Sequence, residues 1–282
     1  MDKVIDIIRE RTSVRSFTGE RLGASEHARV ERIIADAGAG PFGGRPRFRL
    51  ETASSEERAE ERPIGAYGMI RKAPAFIVGA IKKGEFANED YGFVLERIIL
   101  EITALGLGTC WLGGTFNRGE SARRIGLGED EMIPAVTPVG RKPAVPSFRS
   151  RLVRSAVRAD RRKPRATLFF DEAWDTPLFV DSGSPWDEAL ECLHLAPSAS
   201  NKQPWRLVRT LSGGPSFHLY LHEDSSYNSA YGDVKLQDVD MGIAMAHFEL
   251  ACRQLDLPGA WTRLPQPPVP ALPPIRYIAT WR

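Results

Sequence analysis

The sequence lacks the features that would place it in several common classes. It has three cysteines in 282 residues, Cys110, Cys192 and Cys252, widely spaced and with no C-x-x-C pair. Such a set excludes a disulfide framework and a thiolate zinc site, and reads as small buried side chains in a reducing compartment. Charge of one sign is not in excess: 38 Lys and Arg face 36 Asp and Glu, a net of +2. No global attraction to nucleic acid follows. No apolar run approaches the length of a membrane span. The charged start, Met1-Asp2-Lys3-Val4-Ile5-Asp6, has no apolar core of the kind a secretion signal needs. Together these predict a cytoplasmic protein with no membrane or nucleic-acid partner. There is no G-x-S-x-G and no Walker sequence, and Gly106-Leu107-Gly108 lacks the third glycine of a dinucleotide fingerprint. His218 and His222 have no third ligand placed by motif, so no metal is expected.

What is present is an apolar fraction of 42%, ample for one large or two closely packed globular units, and a repeat. Asp90-Tyr91-Gly92, followed by Leu100, Leu105, Leu107 and Trp111, returns 150 residues later without a gap. There it reads Asp240-Met241-Gly242, Leu250, Leu255, Leu257 and Trp261. Each copy opens on Asp-x-Gly, runs as a helix and ends in a Leu-x-Leu turn before a Trp. Residues 92–105 are apolar nearly all round, which places that helix in a core or a tight interface. Its match is expected over 242–255.

The flanks repeat as well. Two strand-like runs precede each helix, 47–51 with 74–81 and 205–210 with 217–222, and one follows, 133–139 and 275–281. Their β-branched and aromatic content supports strands. Each half thus gives helices on a short mixed sheet, an α+β arrangement. An approximate two-fold between the halves would bury the two apolar helices against each other. The expected division is 1–165, including a basic linker at 141–165, and 166–282. Six prolines in 265–274 predict an extended connector into the last strand, and residues 51–62 predict a polar, acidic loop.

Four stretches carry ligand-binding groups. Arg11, Ser13 and Arg15 alternate, so an extended chain would point all three to one face. Two guanidiniums around a hydroxyl make a cradle for a phosphate or polyol; a helix end with solvated arginines is the alternative. Pro197-Ser198-Ala199-Ser200-Asn201-Lys202-Gln203-Pro204-Trp205 is a run of hydroxyl and amide groups closed by a rigid Gln-Pro-Trp. It suits a flat polar ligand, or serves as a helix-capping turn. Trp111-Leu112-Gly113-Gly114 follows the first core helix. Its glycines permit close backbone approach, as an ordinary helix-exit turn also would. Arg161-Arg162-Lys163-Pro164 offers cations to a phosphate, or is a charge run on a solvated face.

The 197–205 loop resembles the PSSxNxQPW loop of the FMN-dependent nitroreductase family. Arg11-Thr12-Ser13-Val14-Arg15-Ser16-Phe17 resembles that family's RRSxRxF motif. The resemblance covers nearly the whole chain and is nearest to the branch whose dimer is fused into one duplicated polypeptide. It implies an α+β, nitroreductase-like fold of two pseudo-symmetric halves with mixed sheets and a helical core interface. It further implies that Arg11 and Ser13 hold the FMN phosphate and ribityl chain, and that Arg15 reaches the N1–C2=O edge of the ring. By the same resemblance Pro197, Ser198, Ser200, Asn201 and Gln203 form the opposite wall. Trp111, Leu112, Gly113 and Gly114 lie along the ring, and Arg162 and Lys163 reach the phosphate. The flavin carries the chemistry, so no side chain is nominated as a catalytic acid or base.

The two copies are unequal. The first owns the Arg-Ser-Arg segment, but its loop at 37–46 has lost the hydroxyl and amide groups; the second owns the loop, but nothing like Arg-x-Ser-x-Arg stands in 168–184. One complete FMN site per chain is expected, in a monomer that mimics a dimer. The expected activity passes hydride from NAD(P)H through FMN to a small-molecule oxidant such as a nitroaromatic or quinone. The alternative is a catalytically inactive scaffold, with or without flavin, that kept the duplicated fold.

Overall fold

The computed structural model describes residues 3–53, 70–144, 161–224 and 232–282. The acidic loop expected over 51–62 lies outside the described residues from 54 onward, and the basic linker lies outside them over 145–160.

Two long helices make the centre. In chain order the helices are α1 (Val4–Glu10), α2 (Ala24–Ala35), α3 (Ala87–Ala104), α4 (Arg118–Ile125), α5 (Pro185–His194) and α6 (Leu236–Gln254). α3 and α6 are buried along almost their whole lengths and pack on each other. Both begin earlier than their apolar pattern indicates. Their first turns contain polar residues that interrupt the apolar pattern, and tertiary partners satisfy those groups. Asn88 Nδ2 donates to Asp233 O at 3.2 Å, and Arg276 Nη2 donates to Asp238 Oδ1 at 2.5 Å. The helices approach closely at a glycine in each. A Cβ on Gly92 would overlap the Val239 carbonyl oxygen, and one on Gly242 would overlap the Glu89 carbonyl oxygen.

A sheet lies on either side. The first holds β1 (Arg47–Thr52), β2 (Ala75–Lys82), β3 (Leu107–Thr109), β4 (Glu131–Met132) and β5 (Val136–Arg141), in the order β1-β2-β5-β3 with β4 on β2. All its pairings are antiparallel. β2 is buried on both faces, and its period of two divides it between cores. Ile77 and Ile81 join the central helices, while Phe76, Val78 and Ala80 join a second cluster with Phe17, Phe116 and Ile125. The second sheet holds β6 (Phe169–Asp171), β7 (Ala173–Pro177), β8 (Trp205–Thr210), β9 (Ser216–His222), β10 (Trp261–Thr262) and β11 (Ile275–Trp281). Its order is β10-β11-β9-β8-β6-β7, antiparallel except for β6 beside β8.

The strands β3, β4, β6, β7 and β10 have two to five residues. A segment that short carries no period to read. Residues 263–274 form neither helix nor strand, and Pro270 O accepts the Trp174 indole N–H at 2.8 Å. All three cysteines are buried and unpaired. His218 lies in the core between the hydroxyls of Thr210 and Thr280, 2.9 Å from each, and burial pushes its pKa down to about 4. Among the described residues no helix is long and apolar enough to cross a membrane.

Candidate functional site

A cavity of about 660 Å³ opens between the N-terminal segment, the exit of α3, the 197–201 loop and the first turns of α6. Arg11, Ser13, Arg15, Trp111, Leu112, Gly113, Gly114, Arg162, Pro197, Ser198, Ser200 and Asn201 all line it. Sequence-distant segments therefore meet at one concave surface of the size that holds a small ligand or cofactor.

The N-terminal wall is extended. Ser13 bridges Thr109 in parallel, and Val14 N–H donates to Thr109 O at 2.8 Å, so the segment adds to the β3 edge of the first sheet. Thr12 also lines the cavity, and Val14 does not. Arg11 Nε and Arg15 Nη1 are buried and have no hydrogen-bond partner. Burial raises the pKa of the neighbouring Cys110 thiol, against the pull of Arg15, Arg11 and a hydrogen bond to Ser13.

The opposite wall is a strained loop. Ser200, Asn201 and Gln203 all have positive φ, at 48°, 54° and 47°. Such a cluster of non-glycine residues persists only where surrounding contacts fix it. Those contacts are visible. Ser198 Oγ accepts the Gln203 N–H at 2.9 Å, and Asp240 Oδ1 accepts the Ala199 N–H at 2.9 Å. Asn201 Nδ2 donates to Arg161 O at 2.7 Å, and Gln203 Oε1 accepts the Lys163 N–H at 2.9 Å.

Two expected residues stand elsewhere. Gln203 and Lys163 are not part of the cavity lining. The Gln203 side chain is buried and tied to the backbone of 161–163, so its amide fastens the end of the linker to the loop. Lys163 sits near Arg206 and Lys202; burial first, then those cations, lowers its pKa. Arg162 does reach the cavity, but Nη1 and Nη2 also donate to the carbonyls of Ala196 and Leu195, each at 2.8 Å. It thereby caps the end of α5, where a cation opposes the helix dipole.

At the exit of α3, Leu112 exchanges two backbone hydrogen bonds with Val136, both 3.0 Å. A Cβ on Gly113 would come within 2.5 Å of Leu236 Cδ2. The close approach that Gly113 permits is thus to a side chain of α6. No motif marks the fourth wall, which α6 supplies: Leu236, Val239, Asp240 and Ile243 line the cavity. Their i, i+3, i+4, i+7 spacing was the available signal, but it is also the spacing of any core stripe. Asp240 is fully buried, and burial raises its pKa well above the usual range, with Asp238 adding to the shift and the Ala199 N–H opposing it.

A family model described as "Putative TM nitroreductase" matches residues 3–252. The chain belongs to that family. Its fold is the α+β fold of the nitroreductases. A crystal structure described as that of "a putative nitroreductase" from Thermotoga maritima aligns with TM-score 0.59 at 19% identity, covering 99% of this chain and 91% of that one. A nitroreductase with bound FMN from Bacteroides fragilis aligns with 52% of this chain and 92% of its own, at 19% identity and TM-score 0.40. One from Desulfitobacterium hafniense, also with bound FMN, aligns with 52% of this chain and 95% of its own, at 21% identity and TM-score 0.40. No curated protein matches the chain.

Proposed function

We propose that this nitroreductase-family chain binds one FMN in the cavity and works as an NAD(P)H-dependent oxidoreductase on a nitroaromatic or quinone-like acceptor. The observation that carries the proposal is the pair of buried guanidinium atoms without partners, Arg11 Nε and Arg15 Nη1, on a cavity that an extended polar wall and a hydroxyl-rich loop enclose. Unsatisfied buried donors are costly, so a site built around them favours a ligand with anionic or carbonyl acceptors. A phosphorylated heteroaromatic ring has both.

Bound there, FMN would supply the two-electron chemistry, taking hydride from a reduced nicotinamide and passing it to the acceptor. The chain's own residues bind and orient. Arg11 and Ser13 are assigned to the phosphate and polyol, and Arg15 to a ring edge that becomes more negative on reduction. Ser198 and Ser200 offer hydroxyls from the other side. Leu112, Leu236, Val239 and Ile243 give the cavity its apolar walls.

We also read the chain as a fused pseudo-dimer, with halves 1–165 and 166–282, that functions as a monomer. The sheet path β1-β2-β5-β3 has its counterpart in β8-β9-β11-β10, again all antiparallel. Gly92 meets Val239 while Gly242 meets Glu89, and each residue of the first pair lies 150 positions from its counterpart in the second. Reciprocal contacts of this kind are what a two-fold interface produces. At the positions matching Leu236 and Gly113 stand Phe86 and Arg263. The Arg263 guanidinium lies 4.7 Å over the Phe86 ring, and Phe42 packs on the same ring at 4.6 Å. These large side chains fill the matching region, which supports one cofactor per chain.

The visible spectrum of purified protein and a titration of apoprotein with FMN test the reading. A flavin band, saturation near one equivalent and bleaching by NADH or NADPH without air are expected. No flavin binding, or two equivalents, would overturn it.

A further inference from the structure

Glu96 and His247 do not line the cavity, yet they stand directly behind two residues that do. Both side chains are completely buried, Glu96 on α3 and His247 on α6. Glu96 Oε2 accepts the Trp111 indole N–H at 2.6 Å. Glu96 Oε1 lies 2.8 Å from His247 Nε2 and 3.8 Å from Arg11 Nε. His247 Nδ1 lies 3.0 Å from the Cys192 carbonyl oxygen.

The partners of the two side chains bear on where the hydrogens of this pair lie. A carbonyl oxygen only accepts, so His247 Nδ1 carries a hydrogen. The contact between Nε2 and Oε1 then needs a second hydrogen. Either the ring holds it, giving imidazolium against carboxylate, or Glu96 holds it, giving a neutral ring against a carboxylic acid. The net charge is zero in both cases. The pair as a whole therefore adds no net charge beside Arg11, although Glu96 is the one carboxyl group within 4.0 Å of Arg11 among the described residues. The arrangement belongs to the cavity side alone. At the positions matching Glu96 and His247 stand Ala246 and Arg97, and the Trp261 indole donates to the Met245 carbonyl at 3.1 Å.

We infer that Glu96 and His247 are positioning residues: a buried pair of zero net charge that fixes Trp111 and leaves the Arg11 charge available to an anionic group of the ligand. This rests on the reading of the cavity as an FMN site, where the anion is the phosphate. Without His247, Arg11 would be the cation nearest Glu96, which would face it as a carboxylate, and the two would neutralise each other. Without Glu96 as well, Arg11 would be uncompensated again.

The test compares FMN with riboflavin, which lacks the phosphate, by fluorescence titration of apoprotein. His247→Leu is expected to weaken FMN binding by about tenfold or more, the factor that 1.4 kcal/mol represents, and to change riboflavin binding little. Glu96→Gln keeps an oxygen for the Trp111 N–H and an amide for Nε2, so it should bind FMN as the wild type does. The double variant Glu96→Gln/His247→Leu should recover FMN affinity relative to His247→Leu. Equal losses for both flavins, or no recovery in the double variant, would reduce the pair to ordinary core packing. NMR of the His247 ring and the Glu96 carboxyl in the wild type provides a check independent of folding and of flavin. An imidazolium beside a carboxylate, or a neutral ring beside a carboxylic acid, supports the inference. A neutral ring beside a carboxylate overturns it. Should the wild type bind neither flavin, the cofactor reading fails while the NMR result still decides the state of the pair.

Discussion

Asp90 and Asp240 each hold a loop by accepting its backbone N–H groups, and they differ by one oxygen. Asp90 Oδ1 accepts from Phe42 N at 2.8 Å and Oδ2 from Gly44 N at 2.6 Å. Asp240 Oδ1 accepts from Ala199 N at 2.9 Å, while its buried Oδ2 has no partner. The loop beside Asp90 is closed onto the carboxylate, with Gly40 and Gly44 so near that a side chain on either would collide with it. The loop beside Asp240 stands open around the cavity.

That difference predicts unequal responses to one substitution. Asp90→Asn puts an amide N–H against a backbone N–H and should cost about 1–3 kcal/mol, the range for leaving a buried donor unsatisfied. Asp240→Asn keeps an oxygen for Ala199 and removes a buried acid, so it should cost less or stabilise. Urea unfolding of both variants checks this; a larger loss for Asp240→Asn would contradict it.

Gly92→Ala and Gly242→Ala should each destabilise the protein. In an exposed helix interior the same change favours folding by about 0.5–1 kcal/mol. Here the new methyl would overlap a backbone carbonyl of the facing helix, and overpacking costs about 1–3 kcal/mol or more. Thermal melts that show either variant more stable than the wild type would mean that α3 and α6 do not meet as described.

Arg15→Gln should lower the reduction potential of bound FMN, since the lost cation favours the more negative reduced ring. A charge-assisted hydrogen bond of about 1.5–3 kcal/mol corresponds to a drop of roughly 30–60 mV, at about 30 mV per 1.4 kcal/mol for two electrons. Arg11→Gln should weaken FMN binding with little shift in potential, because a phosphate keeps its charge in both redox states. Potentiometry separates the two; a shift in Arg11→Gln alone would exchange their roles.

Glu89 makes stability depend on pH. Burial, then the neighbouring Asp238 carboxylate, pushes its pKa up to about 8, against the pull of Arg276. The folded state binds this proton more tightly than the unfolded chain, where the ordinary value is 4.5. The resulting contribution is fully present at low pH and is lost as pH rises through that interval toward 8. Wild type should therefore lose stability relative to Glu89→Gln between about pH 5 and 8. A difference that stays flat, or grows the other way, would show that Arg276 keeps Glu89 ionised.

Much of the architecture was legible because it rests on local pattern. The all-round apolar content of 92–105, the repeated Asp-x-Gly and the β-branched and aromatic runs at 74–81 and 205–210 indicate buried helices and strands without reference to any partner. Local chemistry also marked the Arg11–Ser13–Arg15 segment and the hydroxyl-rich loop as places where polar groups outnumber the needs of a turn.

Tertiary structure alone decided how those groups are used. Gln203 carries the same amide in sequence whether it faces a ligand or the backbone of Lys163, and only packing chose the backbone. Leu236, Val239 and Ile243 have the spacing of any core stripe, and their exposure to a cavity depends on where the 197–201 loop stops. The Glu96–His247 contact joins residues 151 positions apart. Composition and periodicity describe what a residue prefers; they contain no distances between remote segments, and the charge state of a buried pair is set by such distances.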